Sequence, residues 1–395
     1  MPSQAAARFG ERGGPELFPD KTGSAWYVSH SIGTSAGAWI PPQRPPQKES
    51  SLRTREILHA WWLILAGRMP SLSIEITREC PLRCPGCYAF HDDHLGGLVR
   101  PRQVCDYSGQ DLVDRVMRLV EEHRPIHLSL VGGEPLVRFR EISVLLPMLE
   151  ARGVHTQIVT SAVRPIPLEW REIRKLNIVV SIDGLQPEHD ARRRPATYER
   201  ILRNIEGHRI NVHCTVTREM TDRADYLQEF VELWSRTEGV QKIWMSLFTP
   251  QIGEASREML PPESRKSAID TLLRLRREFP KLEMPEGLLA VYRVPPQTPH
   301  SCMFAKTTRT IAADLERIIS PCQLGGTPDC SQCGCFASAA LGAVDRHRLL
   351  PGIRVGMIYS LSYRLGRWLK RMRSGRGMGV GTVEVPAILP EPAPD

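Results

Sequence analysis

Three cysteines, Cys80, Cys84 and Cys87, stand in a Cys-x3-Cys-x2-Cys run on a segment that also carries Pro81, Pro85 and Gly86. Three thiolates this close can each bind one iron of a cubane cluster, which leaves the fourth iron without a protein ligand and open to a cofactor. Structural zinc is the alternative, with His91 or His94 as the fourth ligand. Such zinc sites, however, usually draw on two spaced ligand pairs. A second group lies far downstream, at Cys302, Cys322, Cys330, Cys333 and Cys335. Clustered thiols in a long chain that begins with no charged-then-apolar leader read as metal ligands in a reducing cytoplasm, not as a disulfide scaffold.

Other chemistry-bearing residues fall between these groups. Gly132-Gly133-Glu134-Pro135 joins two residues that let a backbone approach a ligand to a carboxylate and a rigid turn. Ser161, Ser181, Asp183 and Arg193 follow, each with an ordinary structural alternative: a strand-end cap, an Asx turn or a solvated Arg cluster over 192–194. His91-Asp92-Asp93-His94 reads as an exposed loop. His123, His127, His155 and His213 read as packed or surface residues.

The elements that must position these groups alternate. Short apolar runs over 72–76, 126–131, 155–159, 178–182, 211–216 and 243–248 predict strands. Helical patterns cover 109–123, 138–151, 167–175, 196–207, 222–236 and 262–278. Repeated βα units imply a parallel sheet, and the fold expected is α/β, a partial (β/α)6 TIM-like barrel with a small cysteine-rich C-terminal accessory domain. Active sites of such barrels lie at the C-terminal ends of the strands. The cysteine triplet, the Gly-Gly-Glu-Pro loop, Ser161 and the Ser181–Gly184 turn each follow a predicted strand.

Read together, CPLRCPGC, GGEP and SIDG resemble the radical S-adenosylmethionine (SAM) superfamily over roughly residues 70–250. The resemblance implies a [4Fe-4S] cluster on Cys80, Cys84 and Cys87 whose open iron chelates SAM. Reductive cleavage of SAM would then give a 5′-deoxyadenosyl radical that takes a substrate hydrogen. It further implies SAM contacts from Gly132, Gly133, Glu134, Pro135, Ser161, Ser181, Asp183 and Arg193, and a flavodoxin- or ferredoxin-type electron donor. Many members carry an aromatic residue just before the third cysteine; here it is Gly86, and Tyr88 is the nearest replacement. The region from Cys302 to Cys335 resembles the opening of a SPASM or shorter twitch domain. Cys302 and Cys322 would bracket a hairpin turning near Glu316-Arg317, and a second [4Fe-4S] cluster is expected among the five thiols, one of which is surplus.

The chain has 395 residues, 41% of them hydrophobic, enough for one large core with an accessory piece. The expected divisions are an unstructured segment over 1–50, an amphipathic helix over 51–71, a core over 72–285, the accessory region over 286–345, a basic amphipathic helix over 346–375 and a disordered tail over 376–395. The formal net charge of +8 permits anionic partners, but an aromatic content of 6% offers no interleaved surface for a specific nucleic acid. The basic helix suits peripheral contact with the inner face of a membrane. A peptide, or a lipid or isoprenoid, is the substrate class expected. A small-metabolite oxidoreductase of the same superfamily and a non-enzymatic zinc module are the alternatives.

Overall fold

The computed structural model describes residues 61–374 apart from Gly67 and Leu98. The segment over 1–50, most of the expected helix over 51–71 and the tail over 376–395 lie outside the described residues.

Six parallel strands follow in chain order: β1 (Ser71–Glu75), β2 (His127–Val131), β3 (His155–Thr160), β4 (Leu176–Ser181), β5 (Ile210–Val216) and β6 (Val240–Leu247). Each pairs with the next in parallel register. Strands β2 (HLSLV) and β3 (HTQIVT) alternate fully buried with half-buried residues, so one face of each is packed in the core. The covering helices include α1 (Gly109–His123), α2 (Phe139–Ala151), α3 (Gln186–Arg192), α4 (Tyr198–Asn204), α5 (Arg218–Thr221), α6 (Tyr226–Arg236), α7 (Pro262–Glu278) and α8 (Glu286–Arg293). Helix α1 shows the logic: Leu112, Val113, Val116, Met117 and Val120 are buried on one stripe, and charged residues fill the rest.

Two predicted helices are shorter than their patterns. Residues 167–175 form only a 3-10 turn, Leu168–Glu172, anchored by Trp170, whose indole N–H donates to Ser143 Oγ at 2.8 Å. Pro165 and Pro167 hold the residues before them extended, so no α-helical nucleus forms there. The pattern over 196–207 shortens to α4, and Gly207 beyond it turns the chain with φ +73°.

The sheet has eight strands, not six. After α9 (Met303–Thr307), strand β7 (Thr308–Ile311) pairs in parallel with the free edge of β1, and β8 (Ile318–Ile319) returns antiparallel to β7. The order is β6-β5-β4-β3-β2-β1-β7-β8, an open partial barrel. The turn between β7 and β8 closes through Asp314 Oδ1, which accepts from the backbone N–H of Glu316 and Arg317 at 3.1 and 2.9 Å. The cysteine-rich segment therefore belongs to the same compact unit as the sheet. Helix α10 (Phe336–Arg346) follows it. The predicted basic helix starts later than expected, because β9 (Arg348–Leu350) and β10 (Ile353–Arg354) form a hairpin through Gly352 before α11 (Val355–Ser374).

Candidate functional site

The cysteine loop is held from two sides where it leaves β1. Thr77 Oγ1 and Arg78 N donate to Asp106 Oδ2 at 2.7 and 3.0 Å, and Arg138 bonds Glu79 at 2.6 Å. From β2, Gly133 N donates to Thr77 O at 2.7 Å and Glu134 N to Glu79 O at 2.8 Å. A Cβ on Gly132 would collide with the Thr77 carbonyl, and one on Gly133 with that of Glu79. The close approach these glycines permit is thus between the backbones of two loops, which seats the Gly-Gly-Glu-Pro turn directly beside the cysteines.

Glu134 is wholly buried. Its carboxylate accepts from Leu136 N at 3.0 Å, from Ser161 N at 2.7 Å and from the Thr160 hydroxyl. Burial pushes this carboxyl up, against the pull of those hydrogen bonds. Pro135 opens the 3-10 turn Pro135–Arg138 and is buried.

From Ser161 the polar chain continues. Arg193 donates through Nη1 to Ser161 Oγ at 2.8 Å and through Nε to Asp183 Oδ2 at 2.7 Å. Arg192 Nε reaches the same Asp183 oxygen at 3.0 Å, and its Nη2 donates to Pro85 O, inside the cysteine loop, at 2.9 Å. Arg192 also pairs with Glu258. His189, buried, accepts from Asp183 N at 3.0 Å and donates its other ring N–H to Ala196 O at 2.7 Å, which fixes the Nε2–H tautomer. Ser181 is half-buried and lies opposite His213 in the β4–β5 register. Burial drops the His213 pKa to about 4, so it is neutral at pH 7 and bonds Ser246 Oγ at 2.8 Å.

Sequence reasoning missed Arg192 and Glu258 as partners in this network. Arg193 was expected from the resemblance, whereas Arg192 was legible only as part of a basic cluster, and nothing local marks Glu258. Burial opposes ionisation of Asp183, but Arg193 and Arg192 win and hold its carboxyl at about 2, against an ordinary 3.8. A depressed carboxyl pKa stabilises the fold above the ordinary value, and that stabilisation is lost as pH falls through the folded value. The difference is worth about 2 kcal/mol. Denaturant titrations between about pH 4 and pH 2 are therefore expected to show a pH dependence in wild type steeper by about 2 kcal/mol than in Asp183→Asn. Superimposable profiles would mean that the pair does not carry this coupling.

All three thiols of the triplet are half-buried. Burial pushes Cys80 up to about 11 and raises Cys84 and Cys87, while Arg193 pulls the latter two back. Among the described residues no three His, Cys, Asp or Glu side chains converge on a single metal ion. The donor set suits a cluster instead. Three thiols on one loop can each take a different iron, and iron must displace their protons, which the neighbouring guanidinium favours. Of the two histidines of the loop, His94 has both ring nitrogens engaged and is not placed to complete a zinc site. His94 is buried, not exposed as expected, and its ring nitrogens lie 2.8 Å from Glu75 Oε1 and 3.0 Å from Leu324 O. His91 Nδ1 accepts from Asp93 N at 3.3 Å.

The position before the third cysteine has a distinct solution. Gly86 has φ +62°, and a Cβ there would lie 2.7 Å from Glu258 Oε2 and 3.6 Å from the Phe248 ring. Phe248, at the end of β6, is the aromatic residue beside it. Tyr88 turns elsewhere: its ring sits 5.8 Å from His94, and its hydroxyl is raised by burial and by Glu75, Cys87, Cys335 and Cys322. Tyr88 therefore lies between the two cysteine groups.

The downstream thiols line one cavity together with Phe304, Leu324 and Pro328. Cys302, Cys322, Cys330 and Cys333 feel one another electrostatically; burial pushes Cys322 up to about 12 and Cys330 to about 11. Cys335 is also raised by burial and accepts from the Gln323 amide at 3.2 Å. Arg265 braces this loop by donating to Gln332 O and Cys333 O at 3.0 and 2.7 Å. Gly325 packs so tightly on His94 that a Cβ would strike its carbonyl, which brings the downstream loop against the segment after the triplet.

Residues 74–227 match the family model of the radical SAM superfamily. No curated protein matches the chain. Among solved structures, the chain is similar to anSMEcpe with bound AdoMet, at 15% identity and a TM-score of 0.47, over 64% of this chain and 74% of that one. It is similar to Streptococcus suis SuiB bound to the precursor peptide SuiA, at 15% identity and 0.48, over 75% and 72%. It is also similar to TYW1 with a lysine-pyruvate adduct, at 15% identity and 0.33, over 51% and 70%.

Proposed function

Residues 74–227 being a radical SAM domain, we propose that the chain is an enzyme that binds SAM beside a [4Fe-4S] cluster held by Cys80, Cys84 and Cys87. When bound, that pair supplies a 5′-deoxyadenosyl radical able to take a hydrogen from a substrate. The observation that carries the reading is the unbroken polar chain from Glu134 through Ser161, Arg193, Asp183 and Arg192 to Pro85 O of the cysteine loop. It joins the C-terminal ends of four strands into one surface facing the thiols.

The roles follow from the geometry. Glu134 fixes the loops after β2 and β3 relative to each other, so the Gly132–Pro135 backbone is presented in one conformation. Arg193 places a cation beside Cys84 and Cys87, favouring their thiolates, and its charge suits a carboxylate of SAM. Asp183 orients both guanidinium groups and, with Ser181 at the same strand end, offers polar contact to a hydroxylated ligand. Arg192 and Glu258 close the cysteine loop from above.

The second proposed site is an auxiliary [4Fe-4S] cluster on Cys302, Cys322, Cys330 and Cys333, with Cys335 left as the surplus thiol. The supporting observation is that each of the four lies within electrostatic reach of the others. Cys335 lies near Cys333, Cys322 and Cys302 as well, but its Sγ already accepts from the Gln323 amide, and on that ground it is taken as the surplus thiol. The substrate class proposed is a peptide, or a lipid or isoprenoid, rather than a small metabolite. A flavodoxin- or ferredoxin-type protein would deliver the electron in a reducing cytoplasm.

The test is anaerobic reconstitution, then dithionite and SAM, with chromatography for 5′-deoxyadenosine and electron paramagnetic resonance with and without SAM. The expected result is 5′-deoxyadenosine and a cluster signal that changes when SAM is added. A fully iron-loaded protein whose signal ignores SAM would overturn the reading.

A further inference from the structure

Helix α11 carries two apolar stripes. One is docked. Gly356, Tyr359 and Gly366 are buried, Tyr359 packs with Ile64 and Met303, and Tyr363 lies against that group. The Tyr359 hydroxyl donates to Lys306 O at 3.0 Å, and the Tyr359 and Tyr363 rings stack with centroids 6.0 Å apart. The other stripe faces away. Met357, Leu361, Leu365, Trp368 and Met372 are 56%, 70%, 46%, 55% and 54% exposed. At about 100° per residue they lie about 180° round the helix from the docked stripe. Single exposed apolar residues are ordinary, but five large ones aligned along more than four turns form a continuous strip.

Charge identifies the occupant. Residues 353–373 contain Arg354, Arg364, Arg367, Lys370, Arg371 and Arg373 and no acidic residue. Arg354 and Arg364 are exposed. A second copy of the chain would bring two such cationic segments together, which disfavours self-pairing. Anionic lipid answers both features, with acyl boundary for the apolar strip and headgroup phosphates for the arginines. No helix of the described residues is long and apolar enough to cross a bilayer, so the contact is one of lying on the surface.

We propose that α11 docks this enzyme onto an anionic lipid surface, with Leu361, Leu365 and Trp368 entering the headgroup–acyl boundary. This inference is independent of the radical SAM reading and is tested without any loaded cofactor. The full chain is floated with phosphatidylcholine vesicles containing about one-third phosphatidylglycerol, and with phosphatidylcholine alone. Co-flotation with the anionic vesicles, diminished by high salt and by pure phosphatidylcholine, is expected. The Leu361→Ser/Leu365→Ser/Trp368→Ser variant should partition at least about tenfold more weakly while its far-UV circular dichroism and melting stay unchanged. Should that variant unfold, Leu361→Gln alone is used, its side chain being the most exposed of the five. Wild type that stays at the bottom of the gradient overturns the proposal, as does a folded variant that floats as well as wild type. A concentration-dependent dimer broken by the same substitutions, with no flotation, also overturns it by assigning the stripe to a self-contact.

Discussion

Replacing Cys80, Cys84 and Cys87 together by alanine is expected to abolish 5′-deoxyadenosine formation while leaving a folded protein. The three side chains sit half-buried on a loop after β1, so each substitution removes one sulfur and opens no large core cavity. The loop keeps its other supports: Asp106 on Thr77 and Arg78, Arg138 on Glu79, and Arg192 on Pro85 O. Stability should therefore fall by no more than about 1 kcal/mol per site. The chemistry has no such reserve, because the other described thiol near Asp183 and Arg193, Cys214 of β5, is fully buried in the core. Iron analysis separates the two proposed clusters. Wild type should bind about eight irons and the triple variant about four, held by Cys302, Cys322, Cys330 and Cys333. Cys335→Ser should keep the full complement. A triple variant that still cleaves SAM would refute the assignment of the triplet, and one with no iron at all would refute the second cluster.

Glu134→Ala is expected to destabilise the protein by about 3 kcal/mol. Its carboxylate is the acceptor for Leu136 N, Ser161 N and the Thr160 hydroxyl in a site closed to water. Truncation strands all three donors, and each buried donor left unmade costs about 1–3 kcal/mol. Part of that loss is offset because the carboxylate's own burial is unfavourable, as its raised pKa shows. Glu134→Gln does not restore the site, since an amide N–H2 would face the donor of either Ser161 or Leu136. Both variants should also weaken SAM binding, because the loops after β2 and β3 lose their common anchor. Urea denaturation measures the first effect and equilibrium dialysis with labelled SAM the second. An alanine variant within about 0.5 kcal/mol of wild type would show that water enters the site and satisfies the donors.

The glycine at position 86 shows how local chemistry and tertiary packing divide the work. From the chain alone it is a departure from an aromatic pattern, and Tyr88 is the obvious substitute. In three dimensions Phe248, over 160 positions away in sequence number, stands beside it, and Glu258 occupies the space that any larger side chain would need. Tyr88 is turned instead toward the downstream thiols. Residues that meet through a barrel mouth leave no trace in spacing, so this exchange was invisible before the strands were assembled.

What the amino-acid sequence determined by itself was what local pattern encodes. Six apolar runs alternating with helical stripes are set by the burial each element needs, and they announce the parallel α/β sheet. Cysteine spacing within a single loop is legible without the fold, and the Gly-Gly-Glu-Pro turn follows from the tight approach of two backbones. Tertiary structure alone decided the long-range pairings: β7 taking the free edge of β1, Arg192 and Arg193 converging on Asp183, His94 spanning Glu75 and Leu324, and the downstream thiols lining one cavity. The reason is physical. Helix and strand periodicity express which face is buried, whereas the partner on that face is chosen by the closing of the sheet and by the need of each buried donor and charge to find its complement.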